Sequence, residues 1–299
     1  MSGTRCRFCG ADASVRYTTR DWNRGLSPQT FTYYRCPNCT MTFLEPIPED
    51  LGRYYPPAYY PMPASLTELA AVAEAERYKI DLVRRFKSSG RLLEIGPATG
   101  AFAYLAKQAG FQVEAIEMDA ACCVFLEQAV GVRAIRSDHA AQVLDTLDGY
   151  DAIALWHVIE HVPDPWETLD AAAQHLRPGG VLVIATPNPA SFQFRIFGRY
   201  WAHLDAPRHL ELLRVERLIG WAQAAGLQVA LQTTNDPGGL GWNLFGWQES
   251  LANLWARATG RRRRPTLLGR AFSRLMRPIE RGPGFRGATY TLVLQRAAA

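Results

Sequence analysis

The sequence predicts an α/β protein: a doubly wound sheet of seven strands, preceded by a zinc ribbon and interrupted by a helical insertion before the last strand. Three observations carry this. Arg91-Leu92-Leu93-Glu94-Ile95 runs into Gly96-Pro97-Ala98-Thr99-Gly100 and on into the periodic Ala101-Phe102-Ala103-Tyr104-Leu105-Ala106, which reads as strand, tight loop and helix. Apolar strand-like runs then alternate with helix-like segments as far as Thr233. Near the N-terminus stand two C-x-x-C pairs separated by 26 residues.

A chain of 299 residues with 48% hydrophobic residues is long enough to bury a full core. Met1-Ser2-Gly3-Thr4-Arg5 has no apolar leader and no 18-residue apolar run follows, so neither secretion nor a membrane span is indicated and a cytoplasmic location is expected. The net charge of +5 is uneven. Residues 257–286 hold ten arginines and one acid, a net +9, which leaves −4 elsewhere. The basic character is therefore local, and a nucleic-acid-coated surface is not expected.

In chain order, the first chemical constellation is Cys6-Arg7-Phe8-Cys9 with Cys36-Pro37-Asn38-Cys39. Four thiolates at this spacing suit a closed tetrahedral zinc site, and a reducing compartment disfavours disulfides. Alternation at Phe31, Tyr33, Arg35, Met41 and Phe43 suggests short antiparallel strands, giving a ribbon over 1–44. Residues 45–64, rich in Pro and Tyr, read as a stiff linker or as a lid that folds a tyrosine such as Tyr60 over a ligand. Ser65 can cap a helix that runs to Lys87.

At the glycine loop a nucleotide-like ligand is expected, because glycine admits close backbone approach and the following helix aims its N–H groups at the loop. The dinucleotide pattern G-x-G-x-x-G is absent, with Ala98 at its middle position. Glu94 would repel a pyrophosphate but suits a sulfonium compound carrying an ammonium group. The second strand, Gln112 to Asp119, ends on Glu117, 21 residues beyond Gly96 and near the spacing at which such folds place a carboxylate on ribose hydroxyls. Cys122 and Cys123 lack metal spacing and read as packing thiols. The third strand exits at Asp138 and the fourth at Trp156-His157, followed by Val158-Ile159-Glu160-His161-Val162-Pro163-Asp164-Pro165. Leu176-Arg177-Pro178-Gly179-Gly180 should stop a helix before an apolar fifth strand ending near Pro187.

The acid-x-Gly-x-x-x-Gly loop and the Glu160-His161-Val162-Pro163-Asp164-Pro165 block resemble the S-adenosylmethionine loop and the "EHVxDP" signature of class I methyltransferases that act on small molecules, such as quinone-ring and sugar methyltransferases. The resemblance spans roughly 91–296 and implies a Rossmann-like methyltransferase core over 65–236. It implies cofactor contacts from Glu94, Gly96, Ala98 and Gly100, from Glu117 with Met118 beside it, from Asp138 on the adenine amino group, and from Trp156 and His157 on the methionine part. It places His161 on the substrate side.

Beyond the fifth strand, Phe192, Phe194, Phe197, Tyr200 and Trp201 precede His203-Leu204-Asp205-Ala206-Pro207-Arg208-His209. Two histidines, an aspartate and an arginine beside aromatics make an acid/base and orientation set: His161 or His209 as base, Asp205 as orienter, and Trp201, His203 and Arg208 toward substrate. Leu227 to Thr233 and Ala288 to Gln295 read as the sixth and seventh strands. Between them, 237–286 forms a helical insertion hinged at Asp236-Pro237-Gly238-Gly239, with three tryptophans, the run Arg261-Arg262-Arg263-Arg264, and a basic amphipathic helix. In that helix Leu268, Phe272, Leu275 and Ile279 form the apolar stripe and Arg270, Arg274, Arg277 and Arg281 another face. A solvated face, an anionic membrane surface, an acidic substrate and a partner subunit in an oligomer all remain open for the arginines.

The function expected is S-adenosylmethionine-dependent methyl transfer to an oxygen, carbon or nitrogen nucleophile of a small molecule of natural-product, sugar or lipid-linked type, with structural zinc in the ribbon. The alternatives are a zinc-ribbon binding protein with a non-catalytic cofactor fold, and an NAD-dependent reductase.

Overall fold

The computed structural model describes residues 3–56, 59–262 and 266–298. In chain order the strands and helices are β1 (Thr4–Arg5), β2 (Asp12–Arg20), β3 (Thr30–Arg35), β4 (Thr42–Leu44), α1 (Leu66–Glu74), α2 (Arg77–Arg84), β5 (Gly90–Ile95), α3 (Ala101–Gln108), β6 (Phe111–Glu117), α4 (Ala120–Phe125), β7 (Arg133–Arg136), α5 (Ala140–Leu144), β8 (Tyr150–Trp156), α6 (Pro165–Gln174), β9 (Leu176–Pro187), α7 (Phe192–Phe197), β10 (Glu211–Leu212), α8 (Val215–Ala224), β11 (Leu227–Thr233), α9 (Pro237–Thr259), α10 (Thr266–Arg281) and β12 (Thr289–Arg296). Residues 57–185, 219–232 and 291–299 make one compact unit; 1–56, 186–218 and 233–290 make another.

The first of these carries the seven-stranded sheet, in the order β11-β12-β9-β8-β5-β6-β7. Neighbours from β9 to β7 run parallel. Gly179 N donates to Ala297 O and Asn188 N to Ala288 O, so β12 runs antiparallel to β9. The strand order reverses between β5 and β8, and ligands of doubly wound sheets bind in the crevice outside the strand C-termini at that point. Leu92, Val113, Ala152, Ala154, Val181 and Val293 are buried there against Leu69, Val83, Phe102 and Leu105 of the helices. Two boundaries differ from the sequence reading. The segment after Ser65 is two helices, because Ala75 N and Glu76 N bond the Val72 and Ala73 carbonyls in tighter turns that close α1. α6 ends at Gln174, ahead of Pro178-Gly179-Gly180, which instead make an irregularity in the pairing of β9 with β8.

In the second unit the sheet order is β1-β2-β3-β4-β10. The ribbon thus extends past 1–44, since β10 pairs antiparallel with β4. Its core is shared: Phe31, Tyr33, Leu44 and Tyr54 from the N-terminal segment are buried with Phe194, Phe197, Trp201, Leu210 and Trp247. The insertion forms its two helices, and α9 runs through this core. Its buried polar side chains each find a partner: Asn243 Oδ1 accepts from Ala288 N (2.6 Å), Ser250 Oγ from Ala202 N (2.9 Å), and Asn253 Nδ2 donates to Asn23 Oδ1 (3.0 Å). The expected hinge is corrected. Asp236 Oδ1 accepts from Gly239 N (2.7 Å) with Pro237 in the first turn, so Asp236-Pro237-Gly238-Gly239 is a helix cap. Arg263 and Arg264 lie outside the described residues. Among the described residues no helix is long and apolar enough to cross a membrane.

Trp247 ties the insertion to this core: its ring lies 5.3 Å from Phe197 and 5.7 Å from Phe272, and Nε1 donates to Glu280 Oε1. Trp247→Ala should cost about 3–5 kcal/mol in denaturant unfolding.

Candidate functional site

The loop after β5 depends on three residues with left-handed backbone: Gly96 (φ +69°), Ala98 (φ +50°) and Gly100 (φ +84°). A Cβ on Gly96 would meet Val158 Cγ2 at 2.5 Å, and one on Gly100 would meet Leu126 Cδ2 at 2.5 Å, so both glycines are required by space as well as by φ. Ala98 takes the left-handed position without being glycine. Its amide is held by Glu117, whose Oε2 accepts from Ala98 N (2.9 Å) and Oε1 from Asp119 N (2.8 Å). The carboxylate at the end of β6 therefore fixes the loop at the end of β5.

Glu94 is the electrostatic centre of this end of the sheet. It is 3% exposed, and its Oε2 is buried with no hydrogen-bond partner. Burial pushes its carboxyl up to about 8, against the lowering effect of Lys79. A buried acid with an unpartnered oxygen is costly in isolation. A cationic ligand group would satisfy it, which makes the donor set fit an ammonium-bearing cofactor and disfavours a pyrophosphate. Lys79 and Glu76, which the sequence reading did not single out, stand beside it: Nζ of Lys79 meets Glu76 Oε2 at 2.7 Å and lies 5.2 Å from the Trp156 ring centroid. Only their place in an otherwise apolar helical stripe could have flagged them.

Three further residues read from the sequence, Tyr60, Trp156 and His157, are buried or half-buried. Burial, then the charge of the Glu117 carboxylate, push the Tyr60 phenol well above its ordinary value. Trp156 is buried against Phe102 (5.5 Å) and Tyr78. His157 has a positive φ of 59° and donates its amide to Ala185 O, with Nδ1 3.6 Å from the buried Glu160. His161 is half-buried at the end of the short turn Ile159–His161. Met118 and Asp138 stand apart from the enclosed group: Met118 is 49% exposed, and the exposed Asp138 carboxylate faces His139 at 3.7 Å.

The set expected after the fifth strand belongs to the other compact unit. Arg208 is fully buried, with Nη2 on Asp21 Oδ1 (2.7 Å) and on Asp205 Oδ1 (2.8 Å), and Nε on Asp205 Oδ2 (2.8 Å). Burial would raise the Asp205 carboxyl, but the Arg208 guanidinium more than offsets it and holds that carboxyl well below the usual carboxylate range. Arg208 and Asp205 are thus an ion pair, with Asp21 as its third member. Asp21, distant in sequence, is the partner that the local cluster could not reveal. Trp201, 1% exposed, stacks near Phe194 (4.7 Å) as core. His203 is buried with Nε2 3.0 Å from Trp242 O, and His209 Nδ1 meets His203 O at 2.8 Å, so a backbone carbonyl orients the His209 ring.

The four ribbon cysteines converge. Gly10 N bonds Cys6 O and Thr40 N bonds Cys36 O, and Gly10 (φ +71°) and Thr40 (φ +62°) turn both knuckles the same way. All four Sγ atoms lie within 4.8 Å of one another, with Cys6–Cys39 and Cys9–Cys36 at 3.5 Å. Tetrahedral zinc with ~2.3 Å bonds separates sulfurs by ~3.8 Å. The cluster fits that ion.

Residues 71–232 match the family described as Methyltransferase domain, which is more than half of the chain. The chain belongs to the methyltransferase-domain family. Among curated relatives it is 28% identical over 150 residues to the ubiquinone biosynthesis O-methyltransferase of Saccharophagus degradans and 29% identical over 154 residues to that of Xylella fastidiosa. These matches cover 46% and 48% of this chain and 64% and 62% of those proteins, so the chain spans under two thirds of the relatives' length. Among solved structures, a candidate methyltransferase from Bacillus halodurans C-125 superposes with a TM-score of 0.51 at 13% identity, covering 75% of this chain and all of that one. That likeness shows the fold. The family match begins at residue 71, so it excludes the ribbon, and it ends before α9.

Arg208→Met should leave Asp21 and Asp205 buried without their cation and destabilise the protein by about 3–5 kcal/mol at neutral pH. Asp205 titrates below its unfolded value, so the stability that its pairing contributes is present above about pH 4 and is lost as pH falls through the folded value. Thermal melts of wild type and variant should therefore converge on acidification.

Proposed function

We propose that this protein transfers a methyl group from S-adenosylmethionine to a small-molecule acceptor, and that the ribbon holds one structural zinc through Cys6, Cys9, Cys36 and Cys39. The observation that carries the reading is the buried Glu94 carboxyl, its Oε2 without a partner, at the end of the strand that leads into a glycine loop anchored by Glu117. When bound, the cofactor supplies a methyl made electrophilic by its sulfonium. The residues then act by binding and orientation. Glu94 takes the ammonium group, Glu117 the ribose hydroxyls and Asp138 the adenine amino group. Trp156 and His157 pack the methionine part, and Tyr60 covers the site. An oxygen or carbon acceptor must also lose a proton, for which His161 is the better-exposed base and His209 the enclosed one. The curated relatives are named for O-methylation in ubiquinone biosynthesis, which favours an oxygen nucleophile on a natural-product or lipid-linked acceptor.

Calorimetry tests the cofactor assignment. Wild type should bind S-adenosylmethionine saturably, and Glu117→Ala should weaken binding by about 1–3 kcal/mol through lost hydrogen bonds. No saturable binding would leave a non-catalytic cofactor fold. Glu94→Gln should weaken binding at least about tenfold and yet stabilise the cofactor-free protein at high pH. The sign follows from the raised pKa: the stability contributed by neutral Glu94 is full below its ordinary value near 4.5 and is lost as pH rises through about 8. Metal analysis should find about one equivalent of zinc. Iron at full occupancy would overturn that assignment.

A further inference from the structure

The helix α10 has three faces where a helix packed on a soluble core needs two. Successive residues advance by about 100° around the axis. Gly269, Phe272, Met276, Ile279 and Glu280 fall on one side and are buried or half-buried. On that side Phe272 stacks on Trp247, Glu280 Oε1 accepts from Gln193 Nε2 (2.8 Å), and a Cβ on Gly269 would meet Gln248 Cγ at 2.5 Å. The core-facing stripe read from the sequence is corrected here: Leu268 and Leu275 are not in it. They are 50% and 67% exposed, and with Leu267 (79% exposed), Ala271 and Pro278 they form a second, apolar face turned away from the core. The third face is Arg270, Arg274, Arg277 and Arg281, all exposed and none in an ion pair among the described residues. The one acid of the helix, Glu280, is buried, so the outward surface carries four positive charges and no negative one.

We propose that α10 is an interfacial helix that docks this protein on an anionic lipid surface. Leu267, Leu268 and Leu275 would enter the boundary between headgroups and acyl chains, and the adjoining arginines would reach the lipid phosphates. Charge complementarity and the exposed leucines together select this occupant. A nucleic acid would engage the arginines but gives no use to three exposed leucines. A second copy meeting this face symmetrically would set one arginine row against the other. The helix is too polar to span a bilayer, and its apolar face is continuous with the basic one, the pattern of a helix lying in the interface plane. This goes beyond the proposed methyl transfer and does not depend on it.

The test is co-sedimentation of the full chain with vesicles of phosphatidylcholine alone and with vesicles in which about a third of the lipid is phosphatidylglycerol. Wild type should pellet with the anionic vesicles and not with the neutral ones. The combined variant Arg270→Gln, Arg274→Gln, Arg277→Gln should lose about tenfold or more in partitioning, with the difference shrinking as salt rises. Leu268→Ser with Leu275→Ser should lose as much at low salt while melting at the wild-type temperature, since both positions are exposed. Absence of wild-type binding to anionic vesicles overturns the proposal. So does a leucine variant that binds them like wild type, which would leave a general polyanion site, and so does light scattering that shows a dimer dissolved by the leucine substitutions.

Discussion

One guanidinium, that of Arg208, holds together segments that are remote along the chain. It lies between Asp21 and Asp205, from positions 187 and 3 residues away, with no exposure to solvent. Burying a cation and two carboxylates is favourable only when each is paired and hydrogen-bonded, so the arrangement tolerates little displacement of any partner. Its neighbours are correspondingly constrained. The Tyr33 hydroxyl meets the His209 carbonyl at 2.6 Å, Asn23 Nδ2 donates to Ala202 O, and Arg7 pairs with Glu211 at 3.0 Å. Through these the loop after β9 becomes a part of the ribbon's sheet, and α9 fills the remaining side with asparagine and serine contacts. The unit is specified by polar complementarity at least as much as by its aromatic core.

The C-terminal end of the parallel strands follows a different logic. There a buried acid has one oxygen without a partner, and two non-glycine residues, Ala98 and His157, take left-handed backbone. Such conformations cost of order 1–3 kcal/mol each and persist only where the surroundings over-determine them. Val158 packed over Gly96 and Glu117 bonded to the Ala98 amide supply that determination.

These two logics explain what the sequence disclosed. The sheet, the glycine loop, Glu94, Glu117 and the cysteine knuckles were legible because each is a short-range pattern: strand, turn and helix in immediate succession, or ligands at fixed spacing. The Asp21 partner of the Asp205 and Arg208 pair was hidden for the same reason. Arg208 beside Asp205 looks like substrate chemistry until Asp21 joins it, and no local pattern announces a partner so far away. Likewise the hydrophobic period of α10 was legible, but helical spacing alone does not say which of two adjacent apolar strips meets the core. Trp247 and Gln248 decide that by occupying the strip of Phe272 and Gly269.

The interleaving of the chain has a consequence for its birth. The ribbon emerges from the ribosome well ahead of residues that it packs with: its core includes Trp247 and Ala288, and the sheet of the other unit needs β12 between β9 and β11. β12 supplies Tyr290 to one unit and the residues from Thr291 onward to the other. Neither unit can close until the last strand has been synthesised. Contacts of such long sequence separation make folding slow and leave apolar surface uncovered for longer than in proteins whose domains follow one another along the chain. A metal captured early by the cysteine knuckles would give the nascent segment a local anchor during that wait.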